Sequence, residues 1–149
     1  MHIKTIFIKC IAAIGILVLI TSSVLSYADS PIHVIANATV DTNELKLRDI
    51  RAIFTMKKRL WPDGEQVHVF VLPNNNATHQ AFCKRVLGVF PRQLQAIWHR
   101  LVYSGTGSAP TILETEEEMV KQISQTPGSI GYIIRDTNDE NIKTISIAP

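Results

Sequence analysis

The sequence predicts an α/β domain with a mainly parallel sheet flanked by helices, following a cleavable export signal. Three observations predict it. Apolar, strand-like runs alternate with amphipathic segments, Pro and Gly turn signals separate them, and the chain starts with the residues of a secretory signal. After the signal the predicted order is β-α-β-α-α-α-β-β. Strands separated by helices are typical of α/β domains.

The N-terminus has the three parts of a secretory signal. Lys4 and Lys9 supply its positive end, and residues 11–20 form an uncharged apolar run. This run is shorter than the roughly 20 residues of a membrane-spanning helix. Residues 26–28 (Ser-Tyr-Ala) place small side chains where signal peptidase needs them, so cleavage is expected after Ala28. We therefore expect residues 1–28 to be removed and residues 29–149 to form one α/β domain.

Charge and cysteine content limit what the domain does and how it is held together. Lys and Arg number 15, and Asp and Glu number 13. Two of the lysines lie in the signal, so the mature chain is close to neutral. A near-neutral domain gives no case for binding nucleic acid or a membrane surface. Cys83 is the one cysteine of the mature chain, so no internal disulfide forms and the fold depends on its hydrophobic core.

The first half of the mature chain predicts a strand, a helix and a second strand. Residues 31–40 open with an apolar run that is typical of a strand. Apolar side chains then recur at helical spacing over residues 47–54. The Trp-Pro-Asp-Gly sequence at residues 61–64 predicts a turn. Residues 67–72 are mostly apolar, which indicates a strand that is buried on both faces.

Two helices follow the second strand. Residues 77–86 predict the first, and Gly88 ends it. Pro91 suits the first turn of the next helix, because proline lacks an N–H that would be unpaired there. Residues 94–101 give that helix an apolar stripe.

The remaining elements are a helix and two strands. Thr115 and Glu118 have the spacing of a capping box, which predicts a helix start. Residues 127–128 (Pro-Gly) end this helix. Residues 130–134 and 142–147 predict the last two strands.

Several motifs occur in a specific order over nearly the whole mature chain. They are residues 45–54 (LKLRDIRAIF), 57–64 (KKRLWPDG), Phe82 with residues 86–88 (VLG), Trp98, residues 103–107 (YSGTG) and 126–133 (TPGSIGYI). In this order they resemble the short, single-lobe, PBP-like group of bacterial phosphate ABC transporter substrate-binding proteins. The resemblance implies a periplasmic-binding-protein-like domain in the periplasm, related to uptake of inorganic phosphate or a similar oxyanion through an ABC permease.

The chain departs from the longer relatives of this group in three ways. It has no Gly-Ala-Ser-Phe type anion loop. Residues 73–78 read Pro-Asn-Asn-Asn-Ala-Thr where those relatives carry an Arg-x-Asp-x-Ser-Gly-Thr ligand segment, so only Thr78 matches in type. Met56 stands where a glycine usually follows the Ile-Phe pair. These departures motivate an alternative function, an envelope protein-interaction module that keeps the binding-protein fold but has lost the anion site.

Two segments, residues 74–78 and residues 104–107, offer donors for an oxyanion. A helix start provides free backbone N–H groups, to which asparagine amides and a threonine hydroxyl would add donors. The simpler interpretation of the first segment is that Asn76 only caps the helix. The second segment contains two glycines that allow close backbone approach, although it also suits a plain connector. The candidate ligand-binding residues are Asn74, Asn75, Asn76, Ala77, Thr78, Ser104, Gly105, Thr106 and Gly107.

The residues that most resemble catalytic groups are His79 and Cys83, which lie four apart on one helix face. They suit two metal ligands or a thiolate with a base, but no third ligand or orienting carboxylate accompanies them. We therefore predict a buried thiol beside an ordinary histidine. No recognisable catalytic motif is present, so the sequence predicts a protein that is not an enzyme, with no metal and no cofactor.

The expected partners follow from the resemblance and from chain length. An ABC permease or another envelope protein is the expected protein partner. A single lobe has no second lobe to close over a ligand, so the length of the mature chain predicts a homodimer.

Overall fold

A computed structural model of the protein describes residues 30–149, so the predicted signal over residues 1–28 lies outside the described residues. No helix within residues 30–149 is both long enough and apolar enough to cross a membrane. The strands are β1 (His33–Asn37), β2 (Glu44–Lys46), β3 (His68–Val71), β4 (Thr111–Ile112), β5 (Ser129–Ile133) and β6 (Ile142–Ala148). The helices are α1 (Leu47–Phe54), α2 (Ala77–Phe82) with a π-helical continuation (Cys83–Leu87), α3 (Pro91–Tyr103) and α4 (Glu116–Gln125).

The strands form one mixed sheet in the order β2-β6-β1-β5-β3-β4. The pairs β2–β6, β3–β5 and β3–β4 are parallel. The first strand, β1, is antiparallel to both of its neighbours, β5 and β6. The predicted α/β class, a sheet flanked by helices, is confirmed. The direction of β1 was not visible in the sequence because both of its partners come from the far end of the chain.

The structure contains two short strands and one change of helix type that the sequence did not predict. The strands β2 and β4 are the two edges of the sheet and have three and two residues. A pattern of alternating burial needs more residues than that to be recognised. The predicted helix over residues 77–86 is present, and its last turn is π-helical before Gly88 ends it with a φ of 70°.

Helices cover both faces of the sheet, and β5 shows this best. A side chain at Gly131 would collide with Met119 of α4, so the glycine lets that helix pack close. The next residue, Tyr132, points to the opposite face and stacks on Phe82 of α2, with ring centroids 3.9 Å apart. Alternate residues of a strand face opposite sides of the sheet.

Both tryptophans are buried and tie separate parts of the fold together. The Trp61 indole N–H donates to the Gly128 carbonyl, and that of Trp98 donates to the Phe54 carbonyl, each at 2.8 Å. A buried indole needs such a partner. Both side chains therefore belong to the packed core.

Met56 occupies a backbone position that favours glycine. Its φ is 61°, in the left-handed region that costs an L-residue roughly 1–2 kcal/mol. The methionine side chain is buried against the core, and this burial offsets the backbone strain. The departure noted in the sequence therefore coincides with a real conformational requirement.

The connections after β3 and β4 define where a ligand site is expected. These strands are parallel neighbours. The chain leaves β3 for α2 on one face of the sheet, and leaves β4 for α4 on the other. Where adjacent connections diverge in this way, a crevice opens at the carboxyl ends of the strands, and ligands of open α/β sheets bind there.

Candidate functional site

The helix start beside β3 is capped by the chain itself. The Asn76 side-chain oxygen accepts hydrogen bonds from the backbone N–H groups of Thr78 and His79, at 2.8 and 3.3 Å. These are two of the four N–H groups that a helix start leaves without a helical partner. The interpretation of Asn76 as a helix cap is therefore confirmed.

A carboxylate of the chain bridges the crevice, and we call its position the Glu116 bridge. The Thr78 hydroxyl donates to Glu116 Oε1 at 2.5 Å, and the Ile134 backbone N–H donates to Oε2 at 3.2 Å. Thr78 belongs to α2, Glu116 opens α4, and Ile134 follows β5. The Glu116 bridge therefore gives a negative group to the donors that an oxyanion would use.

The start of α4 concentrates negative charge at the same crevice. The Thr115 hydroxyl accepts from the Glu118 N–H, as a capping box predicts. The Glu118 carboxylate instead reaches the N–H of Glu114 at 2.9 Å, one residue before the expected partner. Glu117 also lies in this turn, paired at the surface with Arg135. These carboxylates repel a free anion.

A buried polar chain underlies the crevice. The Leu72 N–H donates to the Tyr132 hydroxyl at 2.9 Å. The hydroxyl also forms a hydrogen bond with His79 Nδ1, at 2.5 Å. The other ring nitrogen, Nε2, lies 3.5 Å from Cys83 Sγ. Each polar atom in this row of hydrogen-bonded groups has a partner, and these bonds fix the orientations of the two rings.

The environment keeps these side chains neutral. Burial lowers the pKa of His79 to about 4 and raises the pKa of the Cys83 thiol to about 12. Burial also raises the pKa of Tyr132. A protonated, fully buried thiol is not a nucleophile. The predicted buried thiol is confirmed, and the structure adds that His79 is equally buried. Residues 30–149 contain no cluster of three His, Cys, Asp or Glu able to hold a metal ion.

The glycine-containing segment Ser104–Gly107 directly follows α3. The backbone N–H groups of Ser104 and Gly105 donate to the carbonyls of Arg100 and Val102, and those of Thr106 and Gly107 both donate to the Leu101 carbonyl. Gly105 has a φ of 67°, which suits a helix end. The carboxyl end of a helix carries partial negative charge. The N–H groups that were expected to cradle an anion are thus committed to α3.

The two predicted donor segments lie apart along α3. The Asn74 amide donates to the Gln95 side chain at 2.8 Å, near the start of that helix. Ser104 lies nine residues further along the chain, which corresponds to roughly 14 Å of helix. The structure therefore does not bring the two segments together into one site.

A second depression is bordered by the loop that carries Asn74 and Asn75. We call it the cationic groove. It has a volume of about 660 Å³ and is lined by Asn74, Asn75, Gln80, Lys84, Phe90, Pro91 and Arg92. Neither Lys84 nor Arg92 pairs with a carboxylate in the part of the chain that the structure describes.

Sequence reasoning missed the residues that define these two places. Glu116 lies 38 positions from Thr78, so no local pattern joins them. The one signal was its place in the first helical turn, where an acidic side chain faces backbone N–H groups. Lys84 and Arg92 lie on different helical elements, and no spacing rule connects them.

Comparisons with known proteins identify the fold. No protein-family model matches the sequence, and no curated protein matches it. The structure is similar to an ABC-type phosphate transport receptor from Vibrio cholerae (TM-score 0.60, 12% identity). It is also similar to a phosphate ABC transporter substrate-binding protein with bound phosphate from Clostridium perfringens (0.62, 18%). A third similar structure is PstS from Borrelia burgdorferi (0.59, 10%).

The similarity is one of fold and covers part of those proteins. It includes 78% of this chain and 45%, 44% and 46% of theirs, in the same order. The chain therefore spans less than half the length of the proteins it matches. It has a periplasmic-binding-protein-like fold, and the resemblance predicted from its motifs is confirmed at that level.

Proposed function

We propose that this protein is a non-catalytic binding module of the bacterial envelope that contacts another envelope component and does not capture free phosphate in its strand-end crevice. The Glu116 bridge carries the proposal, because the Thr78 hydroxyl and the Ile134 N–H already hold a carboxylate. A free anion would have to displace that tethered group and enter among three further glutamates. The location rests on the predicted export signal.

A second candidate is periplasmic uptake of phosphate or a similar oxyanion with an ABC permease. The similar structures favour it, since the proteins from Vibrio cholerae and Clostridium perfringens are named for phosphate transport. In this reading the helix-start residues Asn74, Asn75, Asn76, Ala77 and Thr78 form the anion site. The permease contact and the homodimer stay predictions, and a monomeric sedimentation mass would refute the dimer.

Thermal melting of the exported protein in phosphate separates the two candidates. A receptor gains about 4 kcal/mol at a thousand-fold excess of ligand over Kd. In a domain of this size that is a rise in Tm on the order of 10 °C. We expect millimolar phosphate or sulfate to leave the wild-type Tm almost unchanged. A rise on that scale would overturn the proposal in favour of uptake.

Removing the internal carboxylate makes the same test sharper. In Glu116→Ala the Thr78 hydroxyl and the Ile134 N–H lose their acceptor, so we expect phosphate or acetate to raise Tm by a few degrees in this variant. Glu117→Ala is the matched control, because Glu117 lies one residue away and pairs only at the surface. If Glu116→Ala responds no more than Glu117→Ala, the carboxylate is not an internal substitute for an anion.

A further inference from the structure

We infer that the cationic groove binds an oxyanion that is attached to an aromatic or apolar body, such as an organic phosphate monoester. This site lies outside the strand-end crevice and involves neither Glu116 nor Thr78. The inference goes beyond the proposed function, and either one can fail without the other.

Charge is the first observation. Lys84 and Arg92 face the groove, both are exposed, and no lining residue carries a carboxylate. Lys58 and Arg135 pair with acidic side chains, whereas neither Lys84 nor Arg92 has a carboxylate partner among the described residues. Two unmatched cations around one concavity raise the local concentration of anions. A guanidinium also donates two N–H groups to two oxygens of a phosphate at once.

The apolar lining is the second observation. Phe90 is 65% exposed although it lies between two helical elements, and Pro91 extends its surface. An exposed phenyl ring costs free energy in water and offers a face for stacking. A ligand that is only an ion leaves this ring uncovered, whereas an aromatic or apolar body covers it.

Size is the third observation. The groove volume of about 660 Å³ falls within the roughly 300–1,000 Å³ of sites that bind organic small molecules. A single inorganic oxyanion fills a small part of that space. The volume therefore favours an anion with a body attached.

One wall of the groove is fixed in advance. The Asn74 amide is bonded to Gln95, and the Gln80 amide donates to the Asn74 carbonyl at 3.2 Å. Asn75, in contrast, is exposed, and no side-chain hydrogen bond from it to another described residue is present. A fixed wall with one free amide reduces the entropy that is lost on binding.

Titration calorimetry of the exported protein with three probes tests the inference. The probes are phenyl phosphate, inorganic phosphate and phenol, which carry both features, the anion alone and the ring alone. We expect phenyl phosphate to bind about ten-fold more tightly than phosphate, the value of one stacked aromatic pair, and phenol not to bind. Equal affinity for phenyl phosphate and phosphate, or no binding of phenyl phosphate at millimolar concentration, overturns it.

Variants locate the binding. We expect Lys84→Ala combined with Arg92→Ala to weaken phenyl phosphate at least ten-fold, and Phe90→Ala to remove its advantage over phosphate. Lys57→Ala combined with Arg100→Ala removes the same charge at exposed positions outside the groove and should change nothing. Equal losses in both double variants would mean non-specific charge attraction and would overturn the site. None of these variants touches the Glu116 bridge, so a failure here leaves the phosphate melting test unaffected.

Discussion

The strand-end crevice and the cationic groove share the loop that carries Asn74 and Asn75, yet they use polar groups in opposite ways. In the crevice the Asn76 side-chain oxygen accepts from the start of α2, and the Thr78 hydroxyl and the Ile134 N–H donate to Glu116. In the groove the cations of Lys84 and Arg92 have no described carboxylate partner. Groups that are satisfied internally stabilise the fold, whereas groups left unmatched remain available to a ligand.

The largest expected effect is a loss of stability at low pH, which comes from the buried His79. The pKa of His79 is about 6.5 in the unfolded chain, and burial lowers it to about 4 in the folded protein. Between these values the unfolded chain binds more protons, so stability falls as the pH falls. The slope is about 1.4 kcal/mol per pH unit, which gives about 3 kcal/mol over the window. Urea unfolding between pH 7.5 and 4 measures it.

His79→Gln is the control for this slope. Glutamine does not titrate in the window, so the variant starts less stable but loses less with acid. An unchanged slope in His79→Gln would assign the acid sensitivity to other groups.

Tyr132→Phe should have the next largest effect. It removes one hydroxyl and leaves two buried groups, the Leu72 N–H and His79 Nδ1, without a partner. An unsatisfied buried group costs about 1–3 kcal/mol, so we expect a loss of roughly 2–3 kcal/mol by urea unfolding. Tyr103→Phe removes a hydroxyl from a ring that is 88% exposed and should change little. Similar losses in both variants would contradict the buried polar chain.

Glu116→Ala should cost about 2 kcal/mol, because hydrogen bonds to a charged group contribute about 1.5–3 kcal/mol and Glu116 is only half-buried. Glu117→Ala should cost much less, because the ion pair of Glu117 with Arg135 is exposed and solvent weakens it. The comparison is made by chemical denaturation in a buffer without multivalent anions. Equal losses in both variants would show that the hydrogen bonds of Glu116 stabilise the fold no more than the surface ion pair of Glu117 does.

The groove should be the least sensitive region. Lys84→Ala and Arg92→Ala remove exposed side chains with no described partner, so each should change the free energy of unfolding by less than about 0.5 kcal/mol. Chemical denaturation of the two variants beside wild type checks this. A loss above 1 kcal/mol would show that these cations stabilise the fold and are not reserved for a ligand.

The parts of the fold that the sequence predicted are those set by local patterns. The long helix α3 was recognisable from Pro91 and its apolar stripe, and Gly88 marked the helix end before it. The motif order was enough to indicate the binding-protein fold. The strand β4 was not recognisable, because it has two residues and both are exposed.

The site was less predictable because contacts between distant residues decide it. The Thr78 hydroxyl was identified as a donor from its residue type, but what it binds depends on the position of Glu116 in the folded chain. The Ser104–Gly107 loop has the composition of an anion cradle, and the preceding helix uses its N–H groups. Composition shows which donors exist, and only the tertiary structure shows which of them are free.

The Glu116 bridge also has a consequence for how the molecule responds to its surroundings. A group tethered to its binding site acts at an effective concentration of at least the millimolar order, whatever the solution contains. Glu116 occupies the crevice as soon as the chain folds. The occupancy of the crevice therefore does not change with the concentration of ions in solution. A partner that binds the crevice with Glu116 in place would therefore bind equally well at any concentration of free anion.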